Sequence, residues 1–445
     1  MFENNVIQKI KNLKSLGIHE SVSVFGKVTQ VIGTVIEVSL PDVPLGSIVR
    51  IFNEKSGVSI EAEVVGFKKD RILVIPFSET AGVCANALVE VIEKDPKVCV
   101  GQHLIGSIYD GFLRPYFGEA KKPDSHAQLC KIHKESINPM ARKRITKTLD
   151  LGVKALNGLL TFAEGQRVGI MAGSGVGKSV LMGMMSRYAS ADVNVIALIG
   201  ERGREVREFI EENLGEEGLR KSVVIVSTGD QSPLARMRSA LTATTIAEYF
   251  RDKGKKVLFM MDSLTRVAMA QREIGLAIGE PPTTKGYTPS VFGMLPRLLE
   301  RAGNSDSEGS ITAIYTVLVD GDDFSDPICD AARSILDGHI NLSRSLAAAN
   351  HFPAIEVLTS ASRVMYDVVS QKHYRAANRL KEWMAIYQKN EDLINIGAYQ
   401  PGSNPQLDVA IDMYPRINQF LKQDRSTSTD LDSTLAQLLE LVGDE

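Results

Sequence analysis

The stretch Met171–Met185, MAGSGVGKSVLMGMM, carries the residue types of a phosphate-binding loop. Such a loop needs glycine, four residues, then Gly-Lys-Ser/Thr, placed between a strand and a helix. Gly177, Lys178 and Ser179 fit, while Ala172 stands where the first glycine belongs. Gly173, Gly175 and Gly177, alternating with Ser174 and Val176, let backbone N–H groups close round phosphate oxygens, and a helix continuing through Val180 turns its positive end toward them. Lys178 would meet the β- and γ-phosphates of a nucleotide, and Ser179 a magnesium ion. The alternative, a glycine-rich turn without a ligand, is disfavoured by the Lys-Ser pair at a helix start.

Two carboxylates could complete such a site. VLFMMD, Val257–Asp262, is an apolar run ending in an acid, as expected of a buried strand that delivers a magnesium-holding group to the phosphates. Alone, Asp262 reads equally well as an N-cap for a helix beginning near Leu264; the upstream Gly-Lys-Ser loop favours the chemical role. Glu201, in GERGREVREF, follows the apolar run NVIALI and so sits at the carboxyl end of a strand, where α/β sheets bind ligands. It could orient an attacking water and accept its proton, or it could open a solvated helix facing Arg204.

The elements that must position these residues follow from periodicity. After Thr146, strand-like runs (RVGIM, NVIALIG, SVVIVST, KKVLFMMD, SITAIYTVLV) alternate with helical segments, including one from Ser232 to Arg251. Near-continuous apolar strands between helices imply a parallel sheet covered on both faces. From Val22 to about Glu93 the chain shows β-branched alternation broken by turns, the pattern of a small β-barrel. Lys97 to about Ile145 reads as a connector, and past Met365 helical segments dominate. The polar stretch QDRSTSTDLDST is expected to be a flexible joint before a last short helix. At the start, Val6, Ile10 and Leu13 share a helical face flanked by lysines, a short amphipathic helix suited to a partner, a lipid surface or its own domain. The expected divisions are 1–20 for this helix, 21–95 for the barrel, 96–365 for connector and nucleotide domain, and 366–445 for the helical end.

Composition narrows the function classes. The 445 residues include 51 Lys plus Arg against 54 Asp plus Glu, a net charge of -3, so the chain is not built to coat nucleic acid. Cys84, Cys99, Cys130 and Cys329 form no CxxC pair, which fits a reducing cytoplasm and argues against structural zinc. No apolar run approaches the ~20 residues that span a bilayer. A cytoplasmic protein, peripheral to a membrane at most, is expected.

The blocks AGSGVGKS, GERGREV, MMDSLTRVAMAQREI, GYTPSVFGMLPRLLERAG, ARSILDGHINLSR and HFPAIEVLTSASRVM together resemble the type III secretion ATPases, relatives of the catalytic subunits of rotary ATP synthases. DDFSDPICDAARSILDGHI and GAYQPGSN are more similar to the flagellar export branch than to the injectisome branch. The resemblance implies a RecA-like P-loop core with an N-terminal β-barrel and a C-terminal helical domain, binding ATP and Mg2+. It implies phosphate and magnesium contacts at Lys178 and Ser179, a catalytic glutamate at Glu201 with Arg202 beside it, and the second acidic motif at Asp262. It also implies an arginine finger at Arg363 that enters a neighbouring subunit's site; Glu201 and Arg363 on one chain permit a homohexamer, which the flagellar-like blocks favour over a rotary hetero-ring. The implied partners are a coiled-coil stalk protein facing the acidic loop DGDDFSDP and the C-terminal helices, a regulatory stator-like protein at the N-terminal helix, and the export gate with its chaperones and substrates.

Two positions depart from the family pattern. Phe352 replaces the usual tyrosine, keeping a ring to stack on adenine without the hydroxyl. Ser107, in GSIYDG, replaces an arginine. A rotary hetero-ring subunit is the nearest rival reading. A Rho-like nucleic-acid translocase is a more distant one, since it needs a basic, aromatic-rich barrel and Val24–Glu93 offers only Phe25, Phe52, Phe67 and Phe77 among interleaved acids.

Overall fold

The structure is a computed structural model that describes residues 24–443 apart from 42, 54–56, 320–322 and 324. The expected N-terminal helix lies outside the described residues, as does part of the acidic loop. The chain divides into two compact units, 1–96 and 97–445.

In the first unit, β1 (Phe25–Ile32), β2 (Val35–Ser39), β3 (Ile48–Asn53), β4 (Val58–Lys68), β5 (Arg71–Pro76) and β6 (Leu88–Glu93) close into a barrel in the order β1-β2-β5-β4-β3-β6. Alternation places Val28, Ile36, Val38, Val49, Ile51, Val64, Val74 and Val89 inside. The buried carboxylate of Glu37 is held by Lys68 at 3.3 Å and Arg71 at 3.1 Å.

The second unit begins where a connector is expected, yet the segment is built into the sheets. β7 (Lys97–Val100) pairs with β9 (Gln128–Lys131), and β8 (Ser107–Tyr109), which starts at the departing Ser107, lies along the main sheet's edge. β10 (Thr148–Leu149) and β11 (Phe162–Ala163) form a small antiparallel pair. The main sheet then takes β12 (Arg167–Ala172), β13 (Val193–Glu201), β14 (Ser222–Thr228), β15 (Lys256–Asp262), β16 (Gly303–Asn304), β17 (Ser310–Leu318), β18 (Gly338–Leu342) and β19 (Ile355–Ser362). Its order is β19-β18-β12-β17-β15-β13-β14-β8, with the short β16 beside β17. From β18 to β8 every neighbouring pair along that order is parallel, while β19 runs antiparallel to β18. The strand interiors are largely apolar because helices cover both faces.

The C-terminal helices Gln371–Asn395, Pro405–Leu421 and Leu431–Val442 share one core with the nucleotide-binding region. Ala376, Leu380, Ile417 and Leu438 pack with Leu156 and Leu159 of the helix Lys154–Leu159 in that core. Tyr387 and Tyr414 stack between the two longer helices, 3.6 Å apart at 7°. Among the described residues, no helix is long and apolar enough to cross a membrane.

Candidate active site

The sheet brings its candidate positions to one edge. Ala172 ends β12, Asp262 ends β15 and Glu201 ends β13, and all three strands run in parallel through β17, so their carboxyl ends lie side by side. The helix Lys178–Tyr188 starts directly after the glycine loop, with Gly177 as its N-cap. Gly175 and Gly177 have φ of 77° and 87°, the left-handed region that glycine enters without penalty.

Lys178 reaches across this edge. Its Nζ lies 2.5 Å from Asp262 Oδ1 and 3.6 Å from Glu201 Oε1. Asp262 is 3% exposed and accepts a second hydrogen bond from Thr316 Oγ1 at 2.6 Å. A buried threonine in a run as apolar as SITAIYTVL needs such a partner, and Thr316 is the site residue that this signal could have found. The N-cap alternative for Asp262 fails, because Ser263 Oγ accepts from Arg266 N at the start of Leu264–Ala277.

The electrostatics follow from burial and like charge. Burial, then the charge of Asp262, push the Glu201 carboxyl up to about 7; Lys178 opposes this and Glu205 adds to it. Burial pulls Lys178 down, but Asp262 and Glu201 together outweigh it, so the ammonium stays charged. At 3.6 Å the Lys178–Glu201 contact is an ion pair without hydrogen-bond geometry, and Glu201 Oε1 is buried with no hydrogen-bond partner. An orphaned carboxylate oxygen beside an ammonium can accept a proton from a water delivered to it.

The segment that carries Glu201 is locked to the phosphate loop's helix. It continues through the helix Gly203–Glu208 into a π-helical turn, Phe209–Leu214, a feature frequent at functional sites. Arg187 donates to the carbonyl of Asn213 in that turn, and a Cβ on Gly183 would meet the same oxygen at 2.6 Å.

The remaining candidates divide. Phe352 is brought to the loop: its ring lies 3.4 Å from where a Cβ on Gly177 would stand, and it is 41% exposed. Arg202 is not brought in. It is the N-cap residue of Gly203–Glu208, and its side chain, 83% exposed, pairs with Glu205 at 3.1 Å. Arg363 follows β19, with its N–H on the Asp337 carbonyl and its guanidinium on the Arg333 carbonyl, both at 3.0 Å. Asp337 in turn binds Arg167 at the start of β12. Arg363 is therefore level with the amino end of β12, about 17 Å of strand from Ala172, and cannot serve its own chain's loop.

Residues 152–362 match the ATP synthase alpha/beta family nucleotide-binding domain, residues 28–91 that family's beta-barrel domain, and residues 369–440 the T3SS EscN ATPase C-terminal domain. The flagellum-specific ATP synthase of Bacillus subtilis (strain 168) is 52% identical over 427 residues, 96% of this chain and 97% of its own length. The assembled ATPase EscN of the enteropathogenic E. coli type III secretion system superposes with a TM-score of 0.88 at 45% identity, covering 94% of this chain and 100% of the other. EscN in complex with its central stalk EscO gives 0.86 over the same shares. Matched in all three regions and along nearly its whole length, the chain belongs to the ATP synthase alpha/beta family, within its type III secretion ATPase branch, and is an ATPase.

Proposed function

We propose that the chain hydrolyses ATP in a homohexameric ring that energises flagellar type III protein export. The observation that carries the proposal is Lys178 held between the buried carboxylate of Asp262 and the partly buried one of Glu201 behind a glycine loop.

Each residue has a role that its surroundings support. The loop Ala172–Val180, through its backbone N–H groups and helix start, receives the phosphates. Lys178, balanced by two acids, exchanges them for the more highly charged γ-phosphate. Glu201 takes the proton of the attacking water at its Oε1, which accepts no hydrogen bond, and a carboxyl that titrates near pH 7 is matched to that task. Phe352 presents its ring for the base at the loop's rim. Ser179 and Asp262 are hard oxygen donors of the kind that magnesium takes together with phosphate oxygens, and they would hold it. Bound there, the ion would neutralise charge on the phosphates.

Arg363, remote from its own loop, completes a neighbour's. A finger supplied in trans is worth roughly a thousandfold in turnover, so assembly switches the site on. Arg202, turned out to Glu205, joins the site only if its side chain swings inward when nucleotide binds. By likeness to EscN with its central stalk EscO, the ring receives a coiled-coil stalk. A regulatory partner at the N-terminal helix, the export gate, chaperones and substrates, and a cytoplasmic, membrane-peripheral position complete the proposal.

The test is specific ATPase activity across protein concentration, with and without magnesium, with mass measured at each point. Magnesium-dependent activity that climbs as hexamers form is expected. A persistent monomer with flat, low activity would contradict a self-sufficient ring.

A further inference from the structure

Phe352 is held at the phosphate loop from an unexpected direction. Phe352 is 41% exposed, and its backbone is held in place as well as its side chain. The Phe352 carbonyl accepts from the backbone N–H of Gln423 at 2.9 Å, just beyond the helix Pro405–Leu421. Gln423 is 8% exposed. Its Oε1 accepts from the Lys154 N–H at 2.8 Å, and its Nε2 donates to the carbonyls of Gly152 at 2.7 Å and Thr427 at 2.9 Å. The amide orientation is thereby forced, with the oxygen facing an N–H and the nitrogen facing two carbonyls.

The residues after Gln423, expected to be a flexible joint, are pinned along their length. Arg187, from the phosphate loop's own helix, donates to the Arg425 carbonyl at 2.6 Å. Asn157 donates to the Thr429 carbonyl at 3.1 Å, and Leu431 N donates to Asp150 Oδ2 at 3.0 Å. Gln423 is the buried knot of this seam, and its N–H joins the seam to Phe352.

We propose that Gln423 is a positioning residue for the base platform. By fixing its own N–H, it keeps the Phe352 ring over Gly177 and so sets the preference for a nucleoside triphosphate over the bare triphosphate chain. The proposal rests on Phe352 receiving the base. The seam meets the phosphate loop's helix at Arg187, near that helix's far end from Lys178, while Gln423 itself bonds to Gly152, Lys154, Thr427 and Phe352 and not to the glycine loop.

The experiment compares binding of ATP and inorganic tripolyphosphate, each with magnesium, by calorimetry in the full chain and in Gln423→Glu, Gln423→Ala and Phe352→Ala. KM, kcat and the unfolding midpoint are measured alongside. Loss of base stacking lowers ATP affinity by about tenfold, while tripolyphosphate affinity stays within about twofold. Gln423→Glu is expected to lose more than Gln423→Ala, because a carboxylate would face two carbonyls. The effect should fall on KM more than on kcat, and adding Gln423→Glu to Phe352→Ala should lower ATP affinity little further. Equal weakening of both ligands in the Gln423 variants, or no weakening, while Phe352→Ala loses ATP selectively, would overturn the positioning role. An unselective Phe352→Ala would overturn the base platform itself, and the proposal with it. Should the glutamate variant fail to fold, Gln423→Ala decides by the same ratio.

Discussion

Replacing Glu201 by glutamine should stabilise the nucleotide-free protein at pH 8 while removing turnover. In the folded chain burial and Asp262 raise the Glu201 carboxyl to about 7, against an ordinary 4.5. Below pH 4.5 both folded and unfolded chains hold the proton, and the group costs nothing. Between 4.5 and 7 the unfolded chain releases its proton while the folded chain keeps it, so stability falls progressively. Above 7 the folded chain ionises a buried acid beside Asp262, and the loss is complete. At 1.36 kcal/mol per pH unit that difference is about 3 kcal/mol. The amide of Glu201→Gln mimics the protonated acid at every pH, so the variant escapes the loss. For a unit of this size about 3 kcal/mol corresponds to a rise of about 4 °C in the midpoint at pH 8, with almost none at about pH 4. Thermal unfolding of both proteins without nucleotide, at the two pH values, checks this, and ATPase assays on the same samples should show turnover lost. A variant no more stable than wild type at pH 8, or stabilised as much in acid, would refute the account of Glu201 as a buried, proton-seeking base.

Two further substitutions probe the same edge of the sheet. Lys178→Ala should abolish nucleotide binding in calorimetry and also destabilise the fold by about 3 kcal/mol or more at neutral pH, because buried Asp262 loses its counter-charge; denaturant titration reads the second effect. Gly177→Ala forces a side chain into φ 87°, costing about 1–2 kcal/mol, and its Cβ meets Phe352. ATP affinity measured by calorimetry should fall several-fold or more, and unchanged binding would count against the loop geometry.

The legible parts of this protein are those whose signals are local. The strand, loop and helix around Gly177 and the apolar strands are written in consecutive residues. So is the helix Pro233–Asp252, capped by Ser232. β8 is not legible: three residues in a turn-rich stretch carry little periodicity, and only pairing with β14 makes them a strand. Polar composition at 423–434 suggests flexibility, whereas Gly152, Lys154, Asn157 and Arg187, more than 200 positions away in sequence, tie it down. The chemistry of Glu201 is equally balanced in sequence against a solvated helix start; its place beside Lys178 at the sheet's edge supports the chemical role. Arg363 carries no local signal of its role, and only the sheet register, which sets it at the amino end of β12, separates it from its own chain's loop.

In the proposed ring each active site is completed by the next subunit. Glu201→Gln keeps Arg363 but lacks the base, and Arg363→Ala keeps the base but lacks the finger, so each alone should be silent. Mixed before assembly in equal amounts, an interface works only where an Arg363→Ala subunit's loop meets a Glu201→Gln subunit's arginine, and about a quarter of wild-type ATPase activity should return. A mixture that stays silent at every ratio while its hexamers form, or an Arg363→Ala ring that turns over normally by itself, would contradict the claim.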